Sequence, residues 1–333
     1  MDNLTHTLTG VMLSRAGLNR VAPQATLALA LASNAPDIDI VARSWGSLTY
    51  LHHHRGLSHS LLAVPVLALA VAGLVWLLDR RGRESFRWER VYLVALAGVA
   101  THPLIDFTNA YGVRLALPFS PTWYRWDIEF LVDVWVWVVF LALLAGPALG
   151  RLISGEIGAR PGSGRGAAIL ALLFLAGWWG ARDLFHRRAV AVLESHIYGF
   201  NPAAAADDEA AARSAEPVPP LRVAALPSPA SLFQWHGLVE TEGFYQVFDF
   251  NVLRGFDPTA GRILYKPEKT PALEAALQTA TARRFAEFVQ YPYATVDRRE
   301  DGYRVLLRDM RFPFHCTIDL DRNLRVVFEN YQY

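Results

Sequence analysis

Cysteine is almost missing: Cys316 stands alone among 333 residues, which excludes an intrachain disulfide and a thiolate zinc cage. Charge of one sign is missing too. Thirty-two Lys and Arg offset thirty-one Asp and Glu for a net charge of +1, so no basic field points to a nucleic-acid partner. A basic leader is also absent, since Met1-Asp2-Asn3 is acidic and Thr5-His6-Thr7 interrupts any apolar run; the start does not read as a signal peptide. Charged residues make up 19% of the chain against 53% hydrophobic, a balance foreign to disorder or collagen. Most telling are the stretches without any Asp, Glu, Lys or Arg: Val21 to Pro36, Ser60 to Leu78, Val91 to Ile105, Val134 to Gly150 and Gly166 to Ala181. That is a membrane pattern.

Ser60 to Leu78 is 19 residues long, enough to cross roughly 30 Å of hydrocarbon as a helix. The other stretches reach that length only if polar residues at one end sit in a protein-lined cavity. Orientation follows from Arg in the short loops, because Lys and Arg are retained in the cytoplasm. Loop 79–90 holds Arg80, Arg81, Arg83, Arg87 and Arg90, loop 111–126 only Arg114 and Arg125, and loop 151–165 Arg151, Arg160 and Arg165. The alternation puts loops 36–57 and 111–126 outside the cytoplasm; Arg182, Arg187 and Arg188 pull the other way. The fold expected is a polytopic α-helical membrane domain (1–190), an Ala/Pro-rich linker (191–220) and a small soluble α+β domain (221–333). In that last domain Phe233–Val239, Phe244–Val252, Tyr303–Leu307, His315–Leu320 and Leu324–Phe328 alternate like strands, and Pro271–Gln290 reads as one amphipathic helix.

Polar residues inside the apolar half form a few groups: Thr5-His6, Asn34-Ala35-Pro36-Asp37-Ile38-Asp39, His54-Arg55-Gly56-Leu57-Ser58-His59-Ser60, His102-Pro103-Leu104-Ile105-Asp106, and Asp127-Ile128-Glu129 with Asp133. His102 and Asp106 are four apart and share a helix face, and Glu129 and Asp133 repeat the spacing. The Arg topology brings the groups from Asp37 onward to the outer ends of their helices. Ionisable residues at membrane depth are costly and face internal cavities, and the simplest reason for such convergence is a metal centre of imidazole and carboxylate ligands. The candidates are His6, Asp37, Asp39, His54, His59, His102 and Asp106, holding two or three divalent ions, with zinc favoured. Bland readings stand beside these: His102 and Asp106 as a hydrogen-bonded pair, Asp37 and Asp39 as a turn and cap, Glu129 and Asp133 as a helix start. Asp127 and Asp133 are ligands or orienting residues; Trp123, Tyr124 and Trp126 suit an interfacial belt.

In combination, Thr5-His6, Pro36-Asp37-Ile38-Asp39, His54-Arg55-Gly56-Leu57-Ser58-His59-Ser60 and His102-Pro103-Leu104-Ile105-Asp106 resemble the YdjM-type membrane-bound metal-dependent hydrolases, also described as LexA-binding inner-membrane hydrolases, over about residues 1–150. The resemblance implies a hydrolase of the bacterial inner membrane, with a distant tie to zinc-dependent phospholipase C and single-strand nucleases. Those relatives use a His-x-x-x-Asp/Glu helix pair similar to His102 and Asp106.

The activity expected is attack of a metal-activated water on a phosphoester or other ester, such as a membrane lipid head group. Arg55 would hold the substrate's anionic group and Glu129 would serve as general base. The rival class is a non-catalytic membrane scaffold with a structural metal, whose tail recruits a protein partner. Both the site and the tail are expected on the extracytoplasmic side of a multi-pass protein.

Overall fold

The computed structural model describes residues 2–79, 86–156, 163–199 and 218–332. Most of the expected linker, residues 200–217, lies outside the described residues, as do Arg80, Arg81, Arg83 and Arg160 of the two Arg-bearing loops. The chain divides into two compact units: Met1–Asp39, Arg55–Leu184 and Pro227–Leu232 in the first, and Ile40–His54, Phe185–Leu226 and Phe233–Tyr333 in the second.

The first unit is helical. Helix α1 (Asn3–Ala16) begins where the Asp2 carboxylate accepts from Thr5 N–H at 2.9 Å, a side-chain cap on an otherwise orphaned donor. Along the chain then come α2 (Ala25–Ala32), a 3₁₀ stretch (Ala35–Trp45), α3 (Ser47–His53), a 3₁₀ turn (Leu57–His59), α4 (Ala63–Leu78), α5 (Trp88–Phe107), α6 (Val134–Glu156) and α7 (Arg165–Glu194), of which α3, residues 40–45 of the 3₁₀ stretch and residues 185–194 of α7 belong to the second unit. Helices α2, α4 and α5 share a core of small and β-branched side chains, among them Ala28, Leu29, Ala32, Ala68, Ala72, Val94, Ala95 and Val99. A second cluster joins Leu8 and Met12 of α1 to Val136 and Phe140 of α6 and Ala171 and Leu175 of α7. Two glycines set the spacing around α2. A Cβ at Gly10 would stand 2.8 Å from the Leu29 carbonyl, and one at Gly98 2.7 Å from the Ala32 Cβ, so α1 and α5 approach α2 as only small residues allow. The outward faces are apolar: Val66 is 64% exposed and Leu69 58%, an exposure that marks an interaction or membrane surface.

By length and composition, α7 is long and apolar enough to cross a membrane. Two further candidates are bent pairs: α2 with the 3₁₀ stretch, at 42°, and Ser47–His59 with α4, at 87°. Among the described residues this gives one to three spans, where the charge-free stretches suggested five. The stretch Ser60–Leu78 is helical only from Ala63, and Val134–Gly150 forms a shorter apolar helix.

The second unit carries two four-stranded sheets, in the orders β1-β2-β3-β4 and β5-β6-β7-β8. Their strands are β1 (Arg222–Pro227), β2 (Gln234–Glu240), β3 (Phe244–Asn251), β4 (Arg262–Tyr265), β5 (Pro292–Arg299), β6 (Gly302–Asp309), β7 (His315–Asp321) and β8 (Val326–Gln332). The pairing is antiparallel, with Leu238 opposite Val247 and Val305 opposite Ile318. Trp235, Val239, Phe248 and Phe250 form its core with Ala189, Leu193 and Tyr198. The single helix expected over Pro271–Gln290 is instead two, α8 (Pro271–Leu277) and α9 (Ala280–Ala286). Thr279 explains the break: its side chain accepts from Ala282 N–H and starts a new helix, as Thr270 does for α8 by accepting from Leu273 N–H.

Candidate metal centre

The i, i+4 spacing on α5 places His102 Nε2 3.4 Å from Asp106 Oδ2. The Nδ1 of His102 lies 2.6 Å from the Ser33 carbonyl, which can only accept, so Nδ1 carries the proton and Nε2 presents a lone pair. That lone pair meets further acceptors. His59 Nε2 stands 3.1 Å away and Asp37 Oδ1 3.4 Å away. His59 Nε2 is in turn 3.5 Å from Asp37 Oδ1 and 3.4 Å from Asp106 Oδ2. On the far side of its ring, His59 Nδ1 faces Asp39 Oδ2 at 3.5 Å and Ser58 Oγ at 3.1 Å. Asp39 thus occupies the orienting position of a carboxylate–histidine–metal arrangement.

Two imidazole nitrogens and two carboxylate oxygens converging in this way call for positive charge among them, and a metal ion would supply it. The separations suit one: donors about 2.0–2.2 Å from a shared ion at tetrahedral angles stand roughly 3.3–3.6 Å apart. Burial strengthens the demand, because His59, His102 and Asp106 are 1% exposed or less while the Asp37 side chain, at 18%, forms the open side. The residues present therefore fit a divalent metal. Two overlapping donor groups can be drawn, His6 with His102 and Asp106, and Asp37 with His59 and His102.

His6 is fully buried and stacks on His102 with ring centroids 3.7 Å apart. Its Nε2 is 3.4 Å from Asp106 Oδ1, not the oxygen that faces the other imidazoles. Arg55 reaches the same Oδ1 with Nη2 at 3.0 Å. The rest of its guanidinium donates to Asn109 Oδ1 at 2.8 Å and the Gly112 carbonyl at 3.3 Å, over the Tyr111 ring. His54 is in neither donor group; it ends α3 in extended backbone and stacks on Tyr50 at 4.7 Å.

Glu129 and Asp133 belong to a separate buried cluster. Residues 126–129 are stitched to the end of α5, Ile128 and Glu129 N–H both donating to the Thr108 carbonyl. Asp133 caps α6, accepting from the N–H groups of Trp135 at 2.8 Å and Val136 at 3.0 Å. Its other oxygen takes Trp178 Nε1 and Arg182 Nη2, each at 3.0 Å. Glu129 is fully buried, neither side-chain oxygen has a hydrogen-bond partner, and Arg182 Nε is 3.7 Å away. Burial pushes its carboxyl well above the usual range, and Asp133 adds to this, against the pull of the Arg182 guanidinium. Asp127 takes a left-handed backbone (φ 59°) and faces Arg125 at 3.5 Å.

Sequence reasoning passed over Ser33, Ser58, Asn109 and Arg182. Ser33 acts through its carbonyl, which leaves no signal in a side chain. Arg182 did leave one, a charge directly after the apolar run Gly166–Ala181.

Comparison with known proteins agrees with this half of the chain. The family described as YdjM inner membrane protein matches residues 1–188, more than half of the chain. A curated Bacillus subtilis (strain 168) protein, "Uncharacterized protein YfhP", is 29% identical over 153 residues, which cover 44% of this chain and 46% of that one. The match thus spans about half the length of that relative. No solved structure matches.

Proposed function

The chain belongs to the YdjM inner membrane protein family, and on that premise we propose that it is a membrane-bound, metal-dependent hydrolase acting on a phosphoester or other ester at a lipid head group. The observation that carries the reading is the convergence of His59 Nε2, His102 Nε2, Asp37 Oδ1 and Asp106 Oδ2 within 3.1–3.5 Å contacts. A divalent ion held there, zinc by donor type, would serve as a Lewis acid and lower the pKa of a water. His59 and His102 hold it as neutral imidazoles, oriented by Asp39 and the Ser33 carbonyl. Asp37, the most exposed of these carboxylates, would ligate through Oδ1 and take the proton of the attacking water on its second oxygen. Exposed apolar side chains adjacent in sequence to the ligands, Ile38 at 59%, Leu57 at 56% and Leu104 at 52%, suit a protein that meets lipid. We place the site at the outer membrane face, on the Arg counts of the short loops.

A second reading, a structural ion that pins the helices of a scaffold, is favoured by the near-complete burial of His59, His102 and Asp106. Turnover separates them. Full-length protein in detergent, loaded with zinc or manganese, is expected to release head groups from phospholipid micelles or to hydrolyse a soluble phosphodiester, and Asp37→Asn to lose that turnover. A protein with full metal content and no turnover on any of these substrates supports the scaffold instead.

A further inference from the structure

We infer that the centre holds a single divalent ion and that Arg55 supplies the second positive charge, its guanidinium fixing Asp106 and its backbone N–H Asp39 around the ion. The inference rests on the metal-centre reading above and goes on to its stoichiometry. A neutral imidazole has one lone pair to give, and His102 has committed Nδ1 to the Ser33 carbonyl. Its Nε2 therefore serves one ion, the same one that His59 Nε2 faces at 3.1 Å. A second ion would be left with His6 and Asp106 Oδ1 from the remaining donors. That oxygen is already met by Arg55 Nη2 at 3.0 Å, so the place is taken by a cation that cannot leave or be deprotonated.

Charge balance agrees. Asp37, Asp39 and Asp106 bring three negative charges to a region with little solvent; one divalent ion and Arg55 cancel them, whereas a second divalent ion would leave two positive charges uncompensated. Arg55 is built in for this task. It is 3% exposed, and its backbone adopts a left-handed conformation (φ 52°) that directs its N–H to Asp39 Oδ2 at 2.9 Å while its side chain reaches Asp106. Its carbonyl accepts from Arg114 N–H at 3.1 Å. One residue thereby holds the carboxylate that orients His59 and splits the two oxygens of the carboxylate that His102 and His59 share. Arg55 is a positioning residue.

The test is metal titration of full-length protein in detergent after chelator stripping, with zinc and then manganese, reading equivalents bound, affinity against a competing chelator, and melting temperature with and without metal. Wild type is expected to bind one tight equivalent. Arg55→Ala should weaken that affinity by about tenfold or more, as loss of an outer-shell partner does, and Arg55→Lys should recover part of it. Asn109→Ala, which removes an anchor of the guanidinium but no carboxylate, should shift affinity in the same direction and covers the case of an unfolded Arg55 variant. A merely structural Arg55 would lower the metal-free melting temperature and leave the metal-induced rise unchanged. Two or more tight equivalents in wild type, or wild-type affinity in both Arg55→Ala and Asn109→Ala, would overturn the inference. Wild type that binds no metal at all would instead remove the reading beneath it.

Discussion

Asp39→Ala isolates the orienting shell of the metal centre from the ligands themselves. Asp39 Oδ2 stands 3.5 Å from His59 Nδ1 and accepts from Arg55 N–H at 2.9 Å, but it is not in either donor group. Removing an outer-shell carboxylate of this kind typically costs 10–100-fold in metal affinity, about 1.4–2.8 kcal/mol. Because the ion binds the folded state, that loss reappears as a smaller stabilisation at saturating metal. For a unit of this size it amounts to roughly 3–10 °C of the metal-induced rise in melting temperature. The metal-free protein should fall by less, since there the ion's binding energy does not enter the difference. Scanning calorimetry of wild type and variant, each stripped and reloaded, provides both numbers. Equal metal-induced rises in the two proteins would refute the assignment of Asp39 as the partner of His59.

Three other expectations bear on the remaining charged clusters. Arg182→Leu leaves Asp133 buried without its cation, which typically costs about 3–5 kcal/mol; a thermal melt within about 2 °C of wild type would show that Trp178 and the α6 N-terminus suffice to hold that carboxylate. Glu129 has its carboxyl held above the ordinary value by burial, so its contribution is full below the unfolded value and is lost as pH rises through the folded one. Glu129→Gln should therefore remove a decline in stability that sets in as pH rises above the ordinary Glu value, and an equal decline in variant and wild type, in chemical denaturation across that range, would contradict the assignment. Glu240 shows the opposite sign: burial raises its carboxyl, but hydrogen bonds from Lys266, Arg222 and Tyr245 outweigh this and leave it lowered. Its stabilising effect is present above the ordinary Glu value and is lost as acid titrates it, so stability of Glu240→Gln should change less than wild type between pH 5 and pH 3, in chemical denaturation at the two pH values.

Part of this structure could be read from residue spacing. The i, i+4 pair His102 and Asp106 shares one face of α5 as drawn from the sequence, and Asp37 and His59 meet it from two other segments although no spacing rule relates them. What suggested the meeting was the cost of charge inside apolar stretches. Local backbone geometry could not be read in the same way. His54 and His59 lie in one motif, yet His54 ends α3 in extended backbone while Gly56 and the 3₁₀ turn Leu57–His59 redirect the chain before His59. Likewise Arg55, beside two histidines, suits an anion of any origin, and only its left-handed backbone and the position of Asn109 decide that the anion is Asp106. The broken helix at Thr279 has the same origin, since Thr both continues an amphipathic pattern and competes for the backbone donors of the next turn.

The two buried clusters of the helical unit differ in where their donors point. Around Asp133, acceptors meet donors: Trp178 Nε1, Arg182 Nη2 and two backbone N–H groups satisfy both oxygens. Around His102 Nε2 the neighbours are acceptors alone, and the donors close by, Arg55 and the backbone of its loop, are directed to the outer oxygens of Asp106 and Asp39. Such a gathering of acceptors is a donor set that could hold a cation. The same family of side chains, His, Asp, Glu and Arg at helix ends, thus yields a hydrogen-bonded carboxylate in one cluster and a set of donor atoms that could hold a metal in the other. The difference lies in the direction of each donor, not in composition.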